Sequence, residues 1–230
     1  MLLSTTYFGP IQWYTKLCRC MGQTVYIEAC ETFQKQSYRN RCIIASPTGS
    51  QALTIPVTHH GGSRLTKDTL ISDHGNWRHL HWQALATAYG ESAFYEYYID
   101  DLHPFFFDDG RDAPFNMRYL LDYNNAAAEL LCRLLDIDVR LALTEEFTPP
   151  RDTDSDLRYA IRPKQPPTDD SFTPAPYYQV YARKHGFQPN LSILDLLFNE
   201  GPQAIITLMK AAGMPLTTQH RDTDDTGQNN

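Results

Sequence analysis

The densest run of chemistry-bearing side chains lies between residues 28 and 41, where Glu28, Glu31, Lys35, Gln36, Arg39, Asn40 and Arg41 crowd one polar stretch. Two arginines two positions apart could each fork onto a phosphate or carboxylate, because the planar guanidinium donates paired N–H bonds. Lys35 adds a point charge, and Asn40 offers a neutral group that could orient a bound molecule. Glu28 and Glu31 supply carboxylates for proton transfer, with Glu31 the stronger candidate. A solvated loop whose charges pair with one another has the same composition, and spacing alone leaves both readings open.

His81 is the second candidate for moving a proton, since an unperturbed imidazole titrates near neutral pH. Trp77, on the same predicted helix face, joins the substrate-binding candidates. His79 and His81 cannot share one metal ion from a helix, where residues two apart point about 200° from each other, and no other spacing suggests a metal site. The alternative for His81 is a packed, hydrogen-bonded core residue. Cys18, Cys42 and Cys132 fall on apolar faces, and Cys18-x-Cys20 lacks the spacer of redox and zinc motifs. Cys30 stands between two glutamates that disfavour its thiolate, so a cysteine nucleophile is the weakest of the enzymatic readings.

Several classes lose their usual signatures. The sequence contains no G-x-S-x-G, no P-loop and no G-x-G-x-x-G, and no cofactor is expected. Five cysteines, an odd number, argue against a disulfide framework. No stretch approaches the roughly 18 apolar residues of a membrane span, and the opening Met1-Leu2-Leu3-Ser4-Thr5-Thr6 lacks the basic and apolar regions of a secretory signal, so a cytoplasmic protein is expected. The net charge is −7, but residues 1–70 carry seven basic side chains against three acidic ones, while residues 91–156 carry five against sixteen. That division argues against general nucleic-acid binding and allows a local site for a small anion; mutual neutralisation of the two regions is the plainer reading.

The elements that must position these groups follow from periodicity and punctuation. Leu2–Thr6 and Thr24–Glu28 read as strands, and Pro10 opens a helix with Ile11, Tyr14, Leu17 and Cys18 on one face. Residues 42–45 and 53–57 form a hairpin around Pro47-Thr48-Gly49-Ser50, and Thr69–Ser72 is a further strand. Asn76 caps a helix from Trp77 to about Tyr89, Ser92 starts an aromatic-rich helix, and a third helix ends near Asp136 with Asn124-Asn125 interrupting its apolar face. Residues 148–175, rich in proline, form a long loop. Ser192 through Asp195 has the pattern of a helix start, and Pro202–Gly213 reads as a last helix. The expected architecture is mixed α/β, with a small central sheet, flanking helices, the Pro-rich loop and a C-terminal helical segment. It comprises one domain over residues 1–214 and a disordered tail over 215–230, which lacks apolar periodicity.

Taken in order, the pieces Ser4-Thr5-Thr6-Tyr7-Phe8-Gly9-Pro10-Ile11, Lys35-Gln36-Ser37-Tyr38-Arg39-Asn40-Arg41-Cys42, Leu53-Thr54-Ile55-Pro56-Val57, Trp77-Arg78-His79-Leu80-His81-Trp82, Phe94-Tyr95-Glu96-Tyr97-Tyr98 and Leu191 through Pro202 resemble the WbqC-like proteins of bacterial surface-polysaccharide clusters. Members of that family often open with His or Gln where this chain has Ser4-Thr5-Thr6, so no N-terminal histidine role carries over. The resemblance implies a part in O-antigen or similar glycan biosynthesis. It implies a transferase that modifies a nucleotide-activated sugar, or a non-catalytic protein that binds a glycan precursor or another pathway enzyme. The implied ligand is an anionic nucleotide sugar or acyl donor, for which the residues themselves offer Lys35, Arg39, Asn40, Arg41 and Trp77 as the binding candidates.

Overall fold

A computed structural model describes residues 1–108, 114–150, 155–164 and 169–215. β1 (Leu2–Leu3) turns into α1 (Ile11–Cys18), and β2 (Thr24–Ile27) follows. In β2, Val25 and Ile27 are buried while Tyr26 is exposed, the alternation of a strand with one covered face. β3 (Arg41–Ser46) and β4 (Gly49–Thr54) make an antiparallel hairpin across Pro47-Thr48, with Arg41 opposite Thr54 and Ser46 opposite Gly49. β5 (Val57–His59) pairs antiparallel with β6 (Thr69–Ile71). Then come α2 (Trp77–Tyr89), α3 (Tyr95–Phe106), α4 (Leu120–Leu134), β7 (Arg140–Leu143), α5 (Ala182–His185), α6 (Ile193–Glu200) and α7 (Ala204–Ala211). The architecture is mixed α/β, with small sheets and flanking helices.

β7 has no counterpart among the expected elements. Four residues beside two aspartates carry too little pattern to mark a strand; β7 forms because β2 offers it a free edge, with Val25 opposite Leu141. β1, β2 and β7 are all parallel, in the order β1-β2-β7. Their carboxyl ends therefore face one way and bring Ser4, Glu28 and Thr144 to a common edge, the edge at which open α/β sheets place ligands.

Other boundaries move for identifiable reasons. Asn76 is left-handed, at φ 48°, and its side chain makes no cap bond, so α2 starts at Trp77 without the expected cap. The aromatic helix starts at Tyr95 instead of Ser92, because the Phe94 N–H is drawn to the Phe198 carbonyl at 3.0 Å. α4 stops at Leu134, and Asp136 turns the chain toward β7 with φ 55°. The first two strands are shorter than expected. Ser192 does cap α6, its hydroxyl accepting from the Leu194 N–H at 3.3 Å.

Every residue of α1 is buried, Gln12 and Lys16 included. A buried ammonium needs a partner, and Lys16 pairs with Asp169 and donates to the Ser171 hydroxyl at 2.7 Å. The Pro-rich stretch is thereby fastened to α1. It is also fastened to β1, since Leu2 N–H donates to the Ser155 carbonyl at 2.8 Å and Leu157 N–H to the Leu2 carbonyl at 3.0 Å. Within residues 148–175 the described part contains no helix or strand, in keeping with a loop. The expected tail, apart from Pro215, lies outside the described residues. Among the described residues no helix is long and apolar enough to cross a membrane.

Candidate anion-binding site

Two glutamates leave the end of β2 and meet different fates. Glu28 Oε1 accepts from the Cys30 N–H at 2.9 Å and the Thr144 hydroxyl at 2.8 Å, while Oε2 accepts from the Thr148 N–H at 3.2 Å and Arg158 Nη1 at 2.8 Å. The Glu28 and Arg158 side chains are both fully buried. Arg158 also holds Asp156 through Nε and Nη2. With four donors on one carboxylate, Glu28 is a strut that joins β2, β7 and the Pro-rich loop.

Glu31 is equally buried but only half satisfied. Its Oε1 accepts from Arg39 Nε at 2.8 Å and from Nη2, whereas Oε2 makes no hydrogen bond. The Tyr159 hydroxyl lies within interaction range of the same carboxylate. Burial raises the Glu31 carboxyl above its usual range, and the charge and hydrogen bonds of Arg39 pull the other way. Burial, and then the charge of Glu31, raise the Tyr159 phenol.

Arg39 and Tyr159 open onto a cavity of about 250 Å3 whose other walls include Lys35, Arg162 and Lys164. None of the described residues lining it is acidic. Lys35, Arg162 and Lys164 are exposed, while Arg39 is 4% exposed and already paired with Glu31. The Arg158 and Arg162 guanidinium carbons each lie 5.7 Å from the Tyr159 ring centroid, so this ring is within cation–π reach of both. Behind it, Asn124 Nδ2 donates to the Arg39 carbonyl at 2.7 Å and fixes the backbone from α4. The arrangement can draw in a small anion, hold it on several donors and present it to a phenol backed by a carboxylate.

Of the residues singled out in sequence, Lys35 and Arg39 line this cavity, and Glu31 stands behind Arg39. Asn40 is turned elsewhere; its Nδ2 donates to the Ile55 carbonyl at 2.8 Å and ties the chain to the end of β4. Arg41 sits on β3 and donates to the Thr54 hydroxyl at 3.1 Å across the hairpin, so the two arginines do not converge. His81 is buried against Tyr7 and Trp77, with ring centroids 5.7 and 5.1 Å away. Its Nδ1 and the Tyr7 hydroxyl are hydrogen-bonded at 2.9 Å. Burial lowers its pKa to about 4. Trp77 is buried beside it, donates Nε1–H to the Ser72 carbonyl at 3.0 Å and borders a different cavity, near Arg78 and Phe115. The Cys30 thiol lies 3.2 Å from the Glu145 carbonyl, with no cation in that contact. No three His, Cys, Asp or Glu side chains gather into a metal-binding group among the described residues.

Tyr159, Arg162 and Lys164 were not candidates in sequence. A signal for them exists: residues 157–164 hold three basic side chains and no acidic one, directly after a markedly acidic stretch. The chain is 26% identical over 198 residues to the uncharacterized protein Rv1507c of Mycobacterium tuberculosis (strain ATCC 25618 / H37Rv), covering 75% of this chain and 81% of that one. No solved structure matches it. The WbqC-like protein family matches residues 6–165, a span that contains Glu31, Lys35, Arg39, Tyr159, Arg162 and Lys164 and stops short of Leu191–Pro202. With 160 of the 230 residues matched, the chain belongs to the WbqC-like protein family.

Proposed function

We propose that this protein binds a nucleotide-activated sugar and modifies its sugar moiety as a transferase in the biosynthesis of a bacterial surface polysaccharide, acting in the cytoplasm. The observation that carries the reading is the cavity at Arg39: four cationic side chains and a phenol line it, and the Glu31 carboxylate is buried behind Arg39. Lys35, Arg162 and Lys164 hold the phosphate groups. Glu31 is the proton acceptor, reached through Tyr159: as a hydroxyl of the bound sugar attacks the carbonyl carbon of an acyl thioester, its proton passes to the Tyr159 oxygen and the phenol proton to Glu31, while the C–S bond breaks and the thiolate leaves. Burial suits Glu31 to this role by raising its proton affinity. Asn40, Arg41, Glu28, His81 and Trp77 act as supports in this reading, since the bonds that hold them are made within the fold.

The second reading, a non-catalytic protein that binds a glycan precursor or a partner enzyme, draws on the position of Glu31 behind the cavity wall rather than on it. One experiment separates the two. Thermal-shift measurements with nucleotide sugars, coenzyme A esters and inorganic pyrophosphate are made on the unmodified chain and on Lys35→Ala/Arg162→Ala/Lys164→Ala, three exposed positions whose loss spares the core. A nucleotide sugar that stabilises only the unmodified protein supports the site, and stabilisation that survives the triple substitution refutes it. Turnover of that nucleotide sugar with an acyl thioester that falls at least tenfold in Tyr159→Phe, with binding retained, supports the transferase; binding without turnover supports the second reading.

A further inference from the structure

The basic cavity borders a second one. Arg162 and Pro163 line both, and beyond them runs a groove of about 480 Å3 whose walls include the rings of Tyr38, Phe172 and Phe187. Its character changes along the way: the first cavity is walled by cations, the second by aromatic rings, Ile43 and prolines, with Gln188 and Asn190 as polar points. A mostly apolar groove with a few fixed polar groups suits a flat ring system, not a phosphate.

The groove is built to hold its shape. Tyr38 and Phe172 are buried at their bases. Phe187 meets the Tyr177 ring edge-on at 5.5 Å, and the Tyr177 hydroxyl is in turn bound to Asp195 of α6. The Gln188 N–H donates to Gln179 Oε1 at 2.9 Å, and Asn190 exchanges bonds with Gln12 of α1. The ring wall is therefore fixed by α1 and α6, while the cations come from residue 35 and the Pro-rich loop. Arg162 stands at the junction, where a charged linker between two bulky halves would pass.

We propose that the ligand lies across both cavities, with its nucleoside ring against Phe187 and Phe172, its diphosphate on Arg162 and Lys164, and its sugar toward Tyr159 and Arg39. This rests on the anion-site reading above and adds to it which end of the nucleotide sugar enters which cavity. The groove, and not the basic cavity, then sets preference among nucleotides, because phosphates are common to all of them.

Binding of inorganic pyrophosphate, UDP and ADP to the full chain, measured by titration calorimetry at fixed salt, tests the assignment. The expected result is that at least one nucleoside diphosphate binds tenfold or more tightly than pyrophosphate. Phe187→Ala should weaken that nucleotide about tenfold, the effect of losing one stacking face, and leave pyrophosphate unchanged. Lys164→Ala should weaken both. Phe187→Leu keeps apolar volume while removing the ring, so a matching loss in that variant, with an unchanged melting temperature, excludes a folding artefact. Nucleotides that bind no better than pyrophosphate, or a Phe187 substitution that leaves nucleotide affinity intact, overturn the two-cavity assignment while the anion site stands. Absence of binding by pyrophosphate and nucleotides alike overturns both.

Discussion

His81 offers a prediction whose size follows from its surroundings. The ring is 5% exposed, packs on Tyr7 and Trp77 and is hydrogen-bonded through Nδ1, and its burial favours the neutral form, so that its pKa falls from 6.5 to about 4. In the unfolded chain the same imidazole titrates near 6.5, so below that pH unfolding takes up a proton. The stability contributed by holding His81 neutral is fully present above about pH 6.5 and is lost as pH falls toward about 4. Integrating the linkage between these values gives a loss of about 2 kcal/mol from pH 7 to pH 5. His81→Gln, which keeps a polar amide but cannot titrate, removes that slope whatever its effect at pH 7. Urea denaturation of both proteins at pH 7 and pH 5 and constant ionic strength should therefore show the stability gap between them shifting by about 2 kcal/mol in favour of the variant at low pH. Parallel pH dependences, or an imidazole that titrates near 6.5 by NMR, would refute the reasoning and return His81 to the list of groups able to move a proton at neutral pH.

Asp195 should show the opposite slope. It is buried, accepts from the Tyr177 hydroxyl and from Gln179 Nε2, and has its pKa raised to about 6 by burial, with no cation among the groups that shift it. Its native state holds a proton more tightly than the unfolded chain does, so it contributes about 1 kcal/mol of stability on going from pH 7 to pH 5, which Asp195→Asn should abolish in the same denaturation series. Glu28→Ala leaves Arg158 paired with Asp156 but takes the carboxylate acceptor from Arg158 Nη1, the Thr144 hydroxyl and the Cys30 N–H, and should lower stability by about 1–3 kcal/mol, read from the urea midpoint; a loss below about 0.5 kcal/mol would deny the strut role.

Pattern-level features were legible where the cause is local. Val25, Ile27 and the face made by Trp77, His81, Leu85 and Ala88 show their burial in residue spacing, and Ser192 announces α6 because a hydroxyl at that offset meets an otherwise unpaired N–H. The turn at Pro47 through Gly49 could be read because turn chemistry acts over two or three residues, but the second arm runs over Gly49–Thr54 instead of residues 53–57, and Val57 opens β5. Lys35, Arg39 and Glu31 were identifiable as types able to bind anions and move protons, though the polar run that contains them has no period to say which face the cavity. Only the tertiary structure decided that Arg39 meets Glu31 and Tyr159 while Arg41 turns to Thr54, and that Glu28 is consumed by Arg158, 130 residues away. It also decided β7, whose four residues become a strand only because β2 lies beside them. Local preference acts through neighbouring residues in the chain; the fate of a buried charge depends on which distant partner the folded path delivers, and a single sequence carries no periodic trace of that pairing.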